Sequence, residues 1–117
     1  MDFNEYQMKC RQTDVWHKVE KDLELPLEPS WMYYVLGMAG EMGEFQEKIK
    51  KLFRDNKGVP TFRISKDLAY ELGDILWYMA RFCSELGIPF DDIPTLNVEK
   101  LFSRKDRGKL QGDGDDR

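Results

Sequence analysis

Apolar residues recur along most of this chain at the three- and four-residue spacing of amphipathic helices, and no segment shows the alternation of a strand. A first helix is predicted from about Phe3 to Leu23, with a weak apolar stripe of Tyr6, Cys10, Val15 and Trp16. Leu25-Pro-Leu-Glu-Pro29 follows, and prolines there cannot continue a helix. Ser30 is placed to cap a second helix, Trp31 to about Phe53, whose Val35, Met38, Met42, Phe45, Ile49, Leu52 and Phe53 form one face. Lys48, Lys50, Lys51 and Arg54 gather near its C-terminal end, where the helix dipole favours cations. Asp55-Asn-Lys-Gly-Val-Pro60 reads as a turn. A third helix is expected from near Ser65 to Leu86, with Leu68, Leu72, Ile75, Met79, Phe82 and Leu86 buried and Gly87 closing it. Pro89 and Pro94 bound a loop, and a short fourth helix spans Thr95 to about Lys105, with Leu96, Leu101 and Phe102 as contacts. The pattern predicts an all-α antiparallel bundle of about four helices over residues 1–107, followed by an irregular Gly/Asp-rich tail at 108–117.

Two acidic pairs interrupt this pattern. From Trp31 to Phe45 the charged residues are Glu41 and Glu44 alone, and from Leu68 to Phe82 they are Glu71, Asp74 and Arg81. A spacing of three residues points both members of a pair the same way on a helix. Glu41, Glu44 and Lys48 fall on one face of the second helix, and Glu71, Asp74 and Tyr78 on one face of the third. If those helices pack antiparallel, four carboxylates converge in an apolar setting, which without compensation costs several kcal/mol per ion. A divalent cation supplies that compensation, and oxygen-only ligands suit Mg²⁺. Gly37, Gly40, Gly43 and Gly73 lie beside the acids, and each costs about 1 kcal/mol relative to alanine in a helix. Close approach of a neighbouring helix or a ligand is the expected reason for them.

Composition narrows the options. At 117 residues the chain is sized for one domain, and 34% charged residues against 41% hydrophobic ones describe a soluble globular balance. A net charge of -4 gives no electrostatic case for binding nucleic acid or a membrane surface. The polar, acidic start and the lack of a long apolar run argue against a signal peptide or a bilayer span. Cys10 and Cys83 are far apart and form neither a disulfide framework nor a paired metal motif, which fits a reducing cytoplasm, with Cys83 an inert core thiol. The one histidine, His17, leaves too few imidazoles for a di-iron bundle or a zinc site, and Asp14-x-x-His17 is a single imperfect match to the former. A surface or capping role is expected for it.

Glu41-x-x-Glu44, a gap over 45–70, and Glu71-x-x-Asp74 resemble the E-x-x-E…E-x-x-D signature of the MazG-like all-α nucleoside triphosphate pyrophosphohydrolases. Leu36-Gly-Met-Ala-Gly-Glu-Met-Gly-Glu-Phe-Gln-Glu-Lys48 is similar to that family's second-helix motif and Glu71-Leu-Gly-Asp-Ile-Leu-Trp-Tyr78 to its third. Phe3, Tyr6, Gln7 and Thr13 resemble its first helix. Asn97-Val-Glu-Lys-Leu101, Arg104, Arg107-Gly108 and Gly112-Asp-Gly-Asp-Asp-Arg117 resemble the C-terminal extension of many members.

The resemblance implies Mg²⁺-dependent hydrolysis of (d)NTPs between the α- and β-phosphates, with Mn²⁺ a possible substitute, by a homodimer or a dimer of dimers. Carried over by position, it makes Glu41, Glu44, Glu71 and Asp74 the metal ligands. Glu44 is expected nearest the attacking water, with Glu41 as the alternative and Glu47 a weaker candidate ligand. Lys48, Asn97, Lys100, Arg104 and Arg117 are expected at phosphate oxygens, with Lys105, Arg107 and Lys109 as further members of a C-terminal clamp. Tyr78 and Trp31 are expected at the base or sugar, while Tyr34 and Trp77 fit that role and a core role equally. Two other readings stay open: a non-catalytic dimerisation or nucleotide-binding module with a relic metal site, and a phosphoribosyl-ATP pyrophosphatase-like activity.

Overall fold

The computed structural model describes residues 1–24 and 29–116, the side chain of His17 apart, and among these it contains five α-helices and no strand. α1 (Phe3–Thr13) starts on Asp2, whose side chain accepts a hydrogen bond from the Glu5 N–H. The expected single helix to Leu23 is in fact two: α2 (Trp16–Lys21) follows a break at Asp14 and Val15. Asp14 is extended there (φ -83°, ψ 116°) because its carboxylate is turned inward. It accepts hydrogen bonds from the Trp16 N–H at 2.8 Å, the Tyr34 hydroxyl at 2.6 Å and Arg81 Nε at 2.5 Å. The helix-breaking prolines expected from sequence come too late to end α1, and Pro26 lies outside the described residues.

α3 (Met32–Asn56) and α4 (Phe62–Glu85) form a long helical hairpin. α3 opens on Trp31 in helical conformation without a side-chain cap, so the expected Ser30 cap does not form. It runs past Phe53 to a left-handed turn at Lys57 and Gly58, whose N–H groups both return to the Leu52 carbonyl. α4 begins three residues before the expected Ser65, because the Thr61 hydroxyl accepts from the Ile64 N–H at 3.3 Å. At its far end Gly87 takes φ +68° and the Ile88 N–H bonds the Cys83 carbonyl at 2.9 Å. Lys48 meets Glu71, and Gly37 faces Tyr78 in the opposite sense along the two helices, which fixes the pairing as antiparallel.

The tight core sits at one end of this hairpin. Cys10, Ala80, Cys83 and Phe90 are buried together, with Tyr6, Leu76, Trp77, Met79, Ile88 and Ile93 packed around them. Gln7 fixes the loop that closes it, donating to the Ile88 carbonyl at 2.9 Å and accepting from the Phe90 N–H at 3.1 Å. Both cysteines are reduced, and burial pushes both thiols up from their ordinary range.

α5 (Asp92–Asp106) starts earlier than Thr95 because Pro94 falls in its first turn, where a missing N–H costs no helical hydrogen bond. Beyond Ile93 it packs on no other helix among the described residues, and Leu96, Leu101 and Phe102, expected as contacts, are exposed. The radius of gyration, 17.7 Å, accordingly exceeds the roughly 13 Å of a compact domain of this length. The tail is irregular as expected, but it folds back, placing Asp115 against Lys100 and Arg104. Among the described residues no helix is long and apolar enough to cross a membrane.

Candidate functional site

The hairpin brings the two acidic pairs together at mid-length. One carboxylate oxygen from each of Glu41, Glu44 and Glu71 lies within 4.8 Å of the others, a spacing that one cation can span. Their burial is graded: Glu71 is 7% exposed, Glu41 is half-buried and Glu44 is open to solvent. The expectation of four acids sunk in a core is therefore corrected, since Glu71 alone is buried. Burial first, then the charges of Glu44, Asp74 and Glu71, push the Glu41 carboxyl above its ordinary range. Burial is the larger cause, and the neighbouring carboxylates add to it.

Asp74 stands outside this three-oxygen group and lines an adjoining cleft of about 250 Å³ with Thr13, Glu41, Trp77 and Tyr78. Glu41 belongs to both, so the cleft opens directly beside the carboxylates. Trp77 is held by a 2.8 Å hydrogen bond from its indole N–H to the Thr13 hydroxyl, and its ring meets Tyr78 edge-on at 5.0 Å. Thr13 and Trp77 are thus the cleft-forming residues that sequence reasoning undervalued. The signal available was their place in the family-like first and third helices.

Lys48 reaches the same group from α3. Its ammonium lies 2.6 Å from Glu71, and that contact raises its affinity for a proton. On the other side of Lys48 a second cleft of about 330 Å³ continues along the hairpin, lined by Lys51, Leu52, Asp55, Asn56, Ile64 and Asp67. Glu47 points away and pairs with Lys50 at 2.6 Å and with Lys51 at 3.7 Å, so it does not join the acids.

Other expected contacts are not brought to the carboxylates within one chain. Trp31 packs edge-on against Phe82 at 5.7 Å, about 15 Å along α3 from Glu41 at 1.5 Å per residue. Tyr34 is fully buried and bonded to Asp14, which assigns it to the core. Asn97, Lys100 and Arg104 all sit on the part of α5 beyond Ile93, which among the described residues packs on neither hairpin helix. Lys100 and Arg104 face the Asp115 carboxylate at 3.3 and 3.0 Å, and Arg104 also donates to the Gly114 and Asp115 carbonyls. The Arg107 guanidinium donates to the Ser103 carbonyl and hydroxyl, both at 3.3 Å. Arg117 lies outside the described residues. Of the glycines beside the acids, only Gly37 is explained by close approach, since added side-chain carbons at Gly40, Gly43 and Gly73 would meet nothing within 4 Å.

An all-α hairpin that gathers carboxylates from both helices beside an aromatic-walled cleft defines a class: an acid-clustered helical domain whose oxygens could hold a cation. Residues 31–108 match the MazG nucleotide pyrophosphohydrolase domain, and the chain belongs to that family. It is also 45% identical over 85 residues to the Gene 37 protein of Mycobacterium phage L5, covering 73% of this chain and 75% of that one. No solved structure matches the chain significantly.

Proposed function

We propose that this protein hydrolyses nucleoside triphosphates between the α- and β-phosphates, releasing a nucleoside monophosphate and pyrophosphate. The observation that carries the reading is the meeting of Glu41, Glu44 and Glu71 within 4.8 Å in a domain of the MazG family. The donor set fits a hard divalent cation, because all three ligands are carboxylate oxygens and no imidazole or thiolate stands among them. Mg²⁺ is the proposed ion, held by Glu41, Glu44 and Glu71 and completed by Asp74, with Mn²⁺ as a substitute. Bound there, the cation neutralises phosphate charge and makes water more acidic.

The remaining roles belong to the chain. Glu44, the most exposed of the three, takes the proton of the attacking water as a new oxygen–phosphorus bond forms and pyrophosphate leaves. Lys48 is placed to exchange its contact with Glu71 for a substrate phosphate oxygen. Tyr78 and Trp77 offer the nucleoside an aromatic wall, and the cleft they line continues from Glu41.

The working form is a homo-oligomer. Phe62 is 87% exposed, and Leu96 and Phe102 on the unpacked α5 are 59% and 58% exposed, which is apolar surface that a second copy would cover. Self-association would also give Asn97, Lys100 and Arg104 a route to a second copy's carboxylates.

The test is a panel of NTPs and dNTPs with Mg²⁺, with products resolved as monophosphate plus pyrophosphate and oligomeric state read by light scattering. Pyrophosphate from at least one nucleotide, lost in Glu44→Gln and Asp74→Asn with helicity retained, is the expected result. Normal turnover by both variants would overturn the assignment.

A further inference from the structure

Tyr78 lies where it does because residue 37 of the facing helix has no side chain. A methyl carbon built on Gly37 would sit 2.5 Å from Tyr78 Cδ1 and nearer still to Cε1 and Cζ, well inside van der Waals contact. The backbone does not call for glycine there, since Gly37 lies within α3 and the glycines with positive φ are elsewhere. Nor is the tightness general, because the neighbouring helical glycines have open space where a side chain would go. Gly37 is therefore a slot for one ring.

That ring lies between two aromatic neighbours and a cleft. Trp77 stands edge-on to it at 5.0 Å and Tyr33 flanks it at 6.4 Å. The open side is the cleft shared with Thr13, Glu41, Asp74 and Trp77. At about 250 Å³ the cleft is sized for a base or a sugar, and a displaced phenol ring would take much of it.

We infer that Gly37 is a positioning residue: by admitting the Tyr78 ring against α3, it keeps open the seat for the nucleoside part of the substrate beside the carboxylates. This rests on the pyrophosphohydrolase reading for the identity of the ligand. It concerns the nucleoside end alone, so phosphate and cation binding at Glu41, Glu44 and Glu71 are not expected to depend on Gly37.

The experiment measures equilibrium binding of three probes: Mg²⁺ alone, Mg²⁺-tripolyphosphate, and Mg²⁺ complexes of non-hydrolysable α,β-imido NTP analogues carrying each base. The proteins are the wild type, Gly37→Ala, Tyr78→Ala and Gly37→Ala/Tyr78→Ala. Gly37→Ala is expected to weaken the preferred analogue by at least about ten-fold, the scale of one spoiled apolar contact in a binding pocket. Mg²⁺ and tripolyphosphate binding stay at the wild-type level. In the double variant the ring is gone, and with it part of the cleft's aromatic wall, so the added methyl should cost no further affinity there than Tyr78→Ala costs alone, whereas an undiminished Gly37→Ala loss in that background overturns the inference. Unchanged analogue binding in Gly37→Ala overturns the inference. So does an equal loss for tripolyphosphate, which marks general damage, or a wild type that binds tripolyphosphate but no analogue. Should Gly37→Ala not fold, Tyr78→Trp leaves the glycine in place, adds bulk to the ring and carries the same expectation. Hydrolysis by the wild type is scored separately: selective analogue binding without pyrophosphate release defeats the hydrolase reading and leaves the slot standing.

Discussion

Two groups of charges lie on or against the same helical hairpin and behave in opposite ways. Toward the core end, Arg81 and Asp14 are 3% and 2% exposed, and the guanidinium also reaches Glu85 at 3.1 Å. The Tyr34 hydroxyl completes the set. Burial by itself would raise the Asp14 carboxyl, but hydrogen bonds from Tyr34, Arg81 and the Trp16 N–H outweigh it and hold Asp14 below its ordinary range. Three turns away, Glu41, Glu44 and Glu71 share one ammonium, Lys48, and the Glu41 carboxyl is driven up instead. With Asp74 close enough to act on Glu41 as well, the carboxylates outnumber the one ammonium, and the group keeps a net negative charge that a divalent cation would offset. A group buried with its own countercharge ties elements together, whereas a group gathered with too little of it is open to a countercharge from outside the chain.

The largest effect should come from the unbalanced group. Glu44→Gln keeps the size of the side chain and removes its basicity, so it should cost about 10²- to 10⁴-fold in turnover, the range of general-base catalysis. Thermal melts of the metal-free protein should be unchanged or slightly raised, because one repulsive charge is gone. A fall in stability matching the fall in rate would erase the distinction between the two groups.

Asp14→Ala tests the other side. It strands Arg81 in the interior, and breaking a buried pair by removing one partner typically costs about 3–5 kcal/mol. Urea unfolding should show that loss. The pH dependence follows from the depressed Asp14 carboxyl. Its contribution is fully present above the unfolded carboxylate value of about 3.9 and disappears as pH falls through the lower folded value. Wild-type stability should therefore drop steeply in acid, and an Asp14→Asn variant should show a shallower acid limb.

How these two groups could be told apart in advance shows what the sequence carries. The acidic pairs were legible because helical periodicity, the E-x-x-E and E-x-x-D spacing and the surrounding apolar residues all point to one place. The long hairpin was legible for the same reason. Asp14 was not, because its role depends on Arg81 and Tyr34, which are 67 and 20 residues away, and no local pattern links them. The break after Thr13 was hidden by the same long-range demand, which overrides local helix propensity. α5 was visible as a helix, but its lack of a packing partner was not, since its apolar residues have the spacing of a buried face. Gly37 could be read only as one of four glycines near the acids until the facing ring was placed.

Metal addition sharpens the comparison more gently. A cation bound by the native state alone at 100 times its dissociation constant adds about 2.7 kcal/mol. For a domain of this size that raises the melting temperature on the order of 10 °C. Titrating Mg²⁺ against thermal melts should show the rise in the wild type and in Asp14→Asn, and lose it in Glu71→Gln. A flat wild-type response across millimolar Mg²⁺ would mean the three carboxylates do not hold a cation.

The smallest effect is expected at the far end of the chain, where Asp115 is 84% exposed yet pairs with Lys100 and Arg104. Hydrogen bonds from Arg104 and then Lys100 lower its carboxyl, but solvent screens such a contact, so it belongs to neither kind of buried group. Asp115→Asn should leave the melting temperature and the Mg²⁺ response where they are. Faster backbone amide exchange over 113–116, with α5 protection unaltered, should mark release of the tail. The variant also removes the carboxylate that holds the two cations sequence resemblance places at phosphate, although Arg104 keeps its bonds to the Gly114 and Asp115 carbonyls. If these cations serve substrate, the KM for NTP should fall in Asp115→Asn while turnover stays constant, because the carboxylate no longer competes for them. If KM does not move, Lys100 and Arg104 serve only to fasten the tail, and the contrast between balanced and unbalanced charge stops at the hairpin.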